Sequence, residues 1–448
     1  PMPLFDQIFN STVPGKAASL SRHQKTLLSE ALERTRKRMH KFWTGNQLLG
    51  RKGSIGCVAV EISQRCNLDC SLCYLSSNAN EVPDLPLAEV FLRLDNVVQH
   101  FGVGTNVQIT GGDPTLRDRS ELVAIVRYAR KIGLNPALFT NGIKCSRDLL
   151  EELSENGLSD VAFHVDLTQD RKGYASEMDL NEIRLEYIER ARGLSLLVVF
   201  NTSVHTANLD EIPGLTAFFL KNADVVDFAS FQLQADTGRG RLGRRNNEIS
   251  LRSVGEKINE GCQTVLPWDT VLIGHPKCHC YVPVLSVNGK GYGLVDDKTL
   301  FSEFLNTFSG VRHDRRLPPA RIALEHLKSS LIHPAWYLKA FKYFLPKLWE
   351  IRSDLIQARG KCHKISFFIH NFMDKDQLDP ERIQACSFMT LSENGPVSMC
   401  AYNANRDKYF PTANQNSPRR SPDGVDPGLN QIPFTTEREK SVTILPHE

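Results

Sequence analysis

The chain has 448 residues, 41 % of them hydrophobic and 23 % charged, with a formal charge of +3. That length allows two or three domains with sizeable cores, while so even a charge balance argues against a nucleic-acid binder, which needs a dense basic surface. No apolar run approaches the roughly 20 residues that span a bilayer, and eleven cysteines, an odd number, without a signal-like N-terminus point to free thiols in a reducing cytoplasm.

The opening Pro1-Met2-Pro3 suggests a trimmed start. Residues 1–52 read as a helical N-terminal extension, with Leu20–Phe42 charged and periodic. From 53 to 245, short apolar runs alternate with helical periodicity. The strand candidates are Gly56–Ser63, Asn106–Gly111, Asn135–Thr140, Asp160–Leu167, Leu194–Val204 and Asp227–Gln234. Pro86–Phe101, Asp118–Lys131 and Asn181–Arg192 carry apolar residues at three- and four-residue intervals between them. Six such repeats with nearly continuous apolar strands predict an α/β fold, a parallel sheet covered by helices, with chemistry at the C-terminal ends of its strands.

The first strand candidate runs directly into Cys66-Asn67-Leu68-Asp69-Cys70-Ser71-Leu72-Cys73. Three thiolates at this spacing can wrap one short loop around three irons of a 4Fe–4S cluster, leaving one iron without a nearby protein ligand. A zinc site would more often pair Cys-x-x-Cys or Cys/His sets into a tetrahedron, and no histidine lies in this loop. The second strand ends in Thr110-Gly111-Gly112-Asp113-Pro114, where glycines let backbone approach a ligand with no Cβ in the way. The third ends in Thr140-Asn141-Gly142 and the fourth in Phe163-His164-Val165-Asp166, whose alternation puts His164 and Asp166 on one face. Asp166 could bond ribose hydroxyls, and His164 is either functional or a satisfied barrel histidine. Asn201, Thr202, Gln232 and Gln234, on the fifth and sixth strands, offer uncharged hydrogen-bonding groups that can orient a substrate. The basic, glycine-rich stretch Gly238–Arg245 fits a lipid phosphate or a solvated loop.

After Gly243 the alternation stops, and residues 246–408 read as a separate C-terminal auxiliary domain. Cys278, Cys386 and Cys400 in this part could converge on an auxiliary iron–sulfur cluster, with Cys280, Cys262 or Cys362 as a fourth ligand. The alternative is scattered buried cysteines acting as small hydrophobes. Leu338, Phe341, Leu345, Leu348 and Leu355 recur at helical spacing, with a kink expected at Pro346. Seven Lys or Arg against two acids lie between Ala335 and Lys364. Such a segment suits a membrane interface or a core helix capping the barrel. Residues 409–448 hold little to bury and predict a disordered tail.

The cysteine loop, with the turns after the second and third strands, resembles the radical S-adenosylmethionine (SAM) superfamily. The resemblance implies a partial (β/α)6 barrel, a 4Fe–4S cluster on Cys66, Cys70 and Cys73, and SAM bound at the fourth iron. It implies Gly111, Gly112 and Asp113 at the SAM amino group, where the superfamily commonly has Gly-Gly-Glu-Pro, with Asn141 and Asp166 also on SAM. The reaction implied is reductive cleavage to a 5′-deoxyadenosyl radical that takes hydrogen from an unactivated C–H bond. An external one-electron reductant of flavodoxin or ferredoxin type goes with it. The residue before the third cysteine is usually aromatic in the superfamily, and here it is Leu72, with Tyr74 after Cys73.

The segments His275-Pro276-Lys277-Cys278, Phe368–Asp374 and Cys400-Ala401-Tyr402-Asn403 look like archaeal tetraether lipid synthases and their bacterial relatives. That likeness implies a lipid substrate drawn from a membrane surface, with the protein cytoplasmic and peripheral to the inner membrane face. No cysteine precedes Cys57, so the N-terminal rubredoxin-like site of those synthases is absent. Alternatives are a peptide-modifying maturase and a non-catalytic iron–sulfur protein.

Overall fold

The computed structural model describes residues 20–309, 328, 331–392 and 395–410. Its first element is helix α1 (Arg22–Arg38), opened by a capping box in which Ser21 and Gln24 satisfy each other's backbone N–H groups. Leu27, Leu28, Ala31 and Thr35 form its buried face.

Six parallel strands follow: β1 (Cys57–Ser63), β2 (Asn106–Gly111), β3 (Asn135–Thr140), β4 (Asp160–His164), β5 (Leu197–Val204) and β6 (Val226–Leu233). Each pairs with the next in chain order, with Val58 opposite Val107 and Leu138 opposite Val161. The helices between them are α2 (Leu87–Phe101), α3 (Arg119–Lys131), α4 (Arg147–Glu155), α5 (Asn181–Ala191) and α6 (Ile212–Lys221). Alternate strand residues such as Val58, Val60, Ile109, Leu138, Val161 and Phe200 pack outward with Val90, Leu94, Ile125, Leu150 and Phe219 in one core. Their neighbours Ala59, Ala137, Ala162 and Ser230 line the lumen instead. Small side chains at that level leave the barrel interior open, where bulkier ones would fill it.

The fourth strand is shorter than expected. It stops at His164 because Asp166 turns to cap the 3₁₀ turn Leu167–Gln169, accepting from Thr168 N at 2.9 Å. Helices α4 and α6 were not anticipated from periodicity. Their short apolar sets (Leu149, Leu150 and Leu153; Leu215, Phe219 and Leu220) are buried against the same core.

After β6 come α7 (Leu251–Cys262), β7 (His279–Val287), β8 (Lys290–Gly293), α8 (Lys298–Thr307), α9 (Pro334–Glu350) and α10 (Arg352–Gln357). Then follow β9 (His363–Asn371), α11 (Pro380–Gln384), β10 (Phe388–Ser392), β11 (Gly395–Ser398), α12 (Met399–Ala404) and α13 (Arg406–Tyr409). These strands do not build a sheet of their own, as a separate domain after Gly243 would require. The sheet order is β11-β10-β1-β2-β3-β4-β5-β6-β9-β7-β8. β10 joins β1 in parallel and β9 joins β6 in parallel, so the C-terminal third lengthens the barrel at both edges. The two ends then meet through side chains rather than a ladder: the rings of His370 and Phe388 lie 5.8 Å apart, and Ser387 Oγ bonds His279 Nε2. Helix α9 continues through Pro346 to Glu350. Among the described residues no helix is long and apolar enough to cross a membrane. Beyond Phe410, the expected disordered tail lies outside the described residues.

Candidate functional site

The loop from Gln64 to Tyr74 leaves the C-terminal end of β1 and is tied down along its length. Arg65 holds Asp84 and the Leu116 carbonyl, Cys66 N donates to Asn80 Oδ1 at 2.9 Å, and Ser71 N donates to Thr168 O at 2.7 Å. Cys66, Cys70 and Cys73 are unbridged, half-buried, and line one cavity of about 550 Å³. Burial pushes the Cys66 and Cys70 thiols up, their neighbouring sulfurs push the same way, and Arg239 pulls both down. Thiolates crowded like this are stable only around a positive centre. Among the described residues no three His, Cys, Asp or Glu side chains close around a single ion. Three thiols on one short loop are the donor set that a cluster takes up with each thiolate on a different iron.

A strap covers this loop that sequence reading took for a lipid-phosphate site or a solvated turn. Arg239 N donates to Leu75 O, Gly240 N to Cys73 O and Arg241 N to Ser71 O, at 2.7–3.0 Å. The Arg241 guanidinium holds Asp69 Oδ2 at 2.7 Å, and Arg239 reaches the Leu68 carbonyl. Gly238, at φ +53°, presses against the Tyr74 backbone, where a Cβ would collide. Arg244 and Arg245 are likewise engaged, by Asp376 and Asn371.

Gly111 and Gly112 do allow a close backbone approach, but to β1. A Cβ on either would overlap the carbonyl of Ser63 or Arg65, and Gly112 N and Asp113 N donate to those two oxygens at 2.8 Å. The Gly111 carbonyl accepts from Tyr74 Oη at 2.6 Å. The Asp113 carboxylate, 1 % exposed, accepts from Thr115 N, Thr140 Oγ1 and Asn141 N, so it anchors the end of β3 instead of facing the cavity. Asn141 does line the cavity, 4.0 Å from Cys66 Sγ through its amide, which also donates to Asn67 Oδ1 at 2.7 Å.

Asp166 is fully buried and absent from the cavity wall. It accepts from Thr168 N, Ser203 N at 2.7 Å and the His164 ring at 2.6 Å. His164 is the member of that pair that faces the lumen. Burial opposes its imidazolium, yet the charge and hydrogen bond of Asp166 prevail and raise its pKa, while the carboxyl of Asp166 is lowered. Asn201, Gln232 and Gln234 line the cavity as expected; Thr202 does not. Gln232 donates to Asn201 Oδ1 at 3.4 Å, and Gln234 ties to the Leu242 and Gly243 carbonyls.

Sequence reasoning missed two buried ion pairs. Arg184 and Glu177 brace the turn after β4, with Glu177 also accepting from Leu167 N and Asn208 Nδ2. Arg406 holds Glu61, at the end of β1, through three contacts of 2.7–2.9 Å. Only Glu61, a lone charge in the apolar run Cys57–Ser63, gave a signal in the sequence.

Cys278, Cys386 and Cys400 are buried where the two edges of the barrel meet, near enough for their charges to act on one another. Burial first, then these neighbours, pushes Cys386 up to about 11 and Cys400 to about 12. Arg382 Nε lies 3.2 Å from Cys278 Sγ. The nearby His279 is driven down to about 3 by burial and then by Arg382. The expected fourth ligands lie elsewhere: Cys262 packs against Gly291, Cys362 is exposed before β9, and Cys280 packs against the outer core.

Residues 60–219 match the profile of the Radical SAM superfamily. Over 186 residues, 40 % of this chain, the sequence is 30 % identical to the 7,8-dihydro-6-hydroxymethylpterin dimethyltransferase of Methanocaldococcus jannaschii, of which 36 % is covered. Over 180 residues it is 26 % identical to the PqqA peptide cyclase of Bradyrhizobium diazoefficiens, covering 39 % of this chain and 46 % of that one. The crystal structure of Streptococcus suis SuiB bound to S-adenosylmethionine is similar at a TM-score of 0.38 and 18 % identity, over 51 % of each chain. The chain spans less than half the length of these two curated relatives.

Proposed function

From a chain that carries a radical SAM domain over residues 60–219, we propose an enzyme that cleaves SAM reductively and takes hydrogen from an unactivated C–H bond. One observation carries the reading: three unbridged cysteines on one strapped loop open into the lumen of a parallel barrel. A 4Fe–4S cluster on Cys66, Cys70 and Cys73 with SAM bound would supply a 5′-deoxyadenosyl radical at the mouth of that lumen. The chain's part is to hold and to exclude. Arg239 offsets thiolate charge, and Asn141, on the cavity wall beside Cys66, orients the cofactor's polar end. His164, Gln169 and Gln232 offer hydrogen bonds above the lumen, whose walls keep water from a reactive centre. Asp113 and Asp166 act indirectly, by fixing Asn141 and His164.

Below that polar layer the lumen wall combines an apolar stretch of Ala59, Ala137, Ala162, Val199, Phe228 and Phe368 with the polar side chains of Lys52, Glu61, Gln108 and Asp160. That apolar stretch of wall fits a weakly functionalised chain, and a lipid is the substrate class we infer, with carbon–carbon coupling or another C–H modification as outcome. The likeness to PqqA peptide cyclases supports a peptide substrate as the second reading. Cys278, Cys386 and Cys400 form the candidate auxiliary iron–sulfur site, a flavodoxin- or ferredoxin-type protein the electron source. Eleven unbridged cysteines support a reducing cytoplasmic setting.

The test is anaerobic reconstitution followed by assay for 5′-deoxyadenosine. Wild type should hold about eight irons, and Cys70→Ala about four with no SAM cleavage. Retained cleavage in Cys70→Ala would overturn the assignment. Mass spectrometry of molecules retained by the protein separates lipid from peptide.

A further inference from the structure

Helix α9 is apolar on two opposite sides. One side docks: Trp336 and Ala340 are buried, and Tyr337, Tyr343 and Phe344 pack with Phe301, Phe304 and Phe308. The other carries Leu338, Phe341, Leu345, Leu348 and Trp349, at spacings of three, four, three and one, each between 52 and 69 % exposed. A soluble helix normally turns polar residues outward, and a continuous stripe of large apolar side chains marks a contact surface.

The charges around the stripe identify what it meets. Lys342 on the same helix is exposed, as are Arg352, Arg359 and Lys361 in the segment that follows it, and Arg352 stacks on Trp349 at 4.3 Å. Of the two acids between Ala335 and Lys364, Asp354 is buried against Lys290, Tyr292 and Asn288, which leaves Glu350 as the exposed one. A tryptophan and an apolar helix face rimmed by cations complement an anionic lipid surface, where the rings enter the headgroup boundary and the cations stay with phosphates. The docked side of α9 is continuous with the lumen, since Tyr281, Phe228 and Phe368 belong to the same apolar cluster and also line the cavity.

We propose that the outward face of α9 docks the protein on an anionic membrane surface, with Phe341, Leu345 and Trp349 inserted and Lys342 and Lys361 at the phosphates. Delivery of a lipid chain to the lumen rests on the substrate reading above; the docking itself does not.

The full-length protein is cosedimented with phosphatidylcholine vesicles containing about 30 mol % phosphatidylglycerol. Wild type should partition onto them, less so as salt is raised. The double variant Phe341→Ser/Leu345→Ser should lose at least about tenfold in partitioning. Lys342→Glu/Lys361→Glu should lose about fivefold per residue, and its preference for anionic over neutral vesicles. All four side chains are exposed, so circular dichroism and cluster absorbance should stay at wild-type levels. Absence of wild-type partitioning, or equal partitioning by the serine variant, overturns the proposal. So does a wild-type dimer that ignores vesicles and that the serine variant converts to monomer, because the occupant is then a second copy. Vesicle binding without SAM cleavage would instead overturn the enzymatic reading and leave docking in place.

Discussion

His164 and Asp166 show how one residue position divides a role. The strand alternation that places both on one face holds only to the end of β4; beyond it the backbone turns, burying Asp166 and leaving the imidazole at the lumen. Asp166 is therefore a positioning residue for His164, as Asp113 is for Asn141. The pair also has a pH signature. A raised histidine pKa gives stability that is complete below the unfolded value, about 6.5, and lost as pH rises through the folded one. A lowered aspartate pKa gives stability present above the unfolded value, about 3.9, and lost as pH falls through the folded one. The melting-temperature gap between wild type and His164→Gln should thus be widest from about pH 4 to 6.5 and shrink as pH rises above that. A gap that stays constant as pH rises would show that the pair carries no charge linkage.

At the scale of elements, the turn after β2 couples two strands before it meets any ligand. Gly111 has φ +128°, and a side chain there meets the Ser63 carbonyl just upstream of the cysteine loop. Gly111→Ala should cost about 1–3 kcal/mol from backbone conformation alone, and more from displacing Ser63. Gly173→Ala, at φ +89° with nothing within 4 Å of its Cβ, isolates the conformational part. Denaturant midpoints and iron content measure both; the Gly111 variant should lose iron and the Gly173 variant should keep it. If the two variants behave alike, contact with Ser63 plays no part. The same close packing explains why the sequence pattern Gly-Gly-Asp-Pro was readable as a special turn while the partner of its glycines was not: the glycine requirement is local, but Ser63 and Arg65 arrive from another strand.

At the scale of the whole molecule, a buried charge pair adds to the β1–β10 ladder in fastening the C-terminal segment to the barrel. The Arg406 guanidinium holds Glu61 and lies among the rings of Tyr74, Tyr402 and Phe410, at 4.7–5.6 Å from their centres. Arg406→Met leaves Glu61 charged and uncompensated, and should destabilise the fold by about 3–5 kcal/mol in urea titration. The double variant Glu61→Gln/Arg406→Met should recover most of that loss, and additive losses would show that the two residues act separately. Local chemistry alone was enough to read the cysteine loop, the turn residues and most strand and helix positions between 53 and 245. Each depends on neighbours a few residues away, through ligand spacing, glycine freedom or apolar periodicity. It took the folded chain to decide that β9 and β10 complete the barrel from opposite edges, that Gly238–Arg245 straps the cysteine loop, and that one apolar face of α9 is exposed among the described residues. Those outcomes rest on pairing between segments as much as 331 residues apart, such as Thr390 with Ala59, and no local pattern encodes which edge a strand will find.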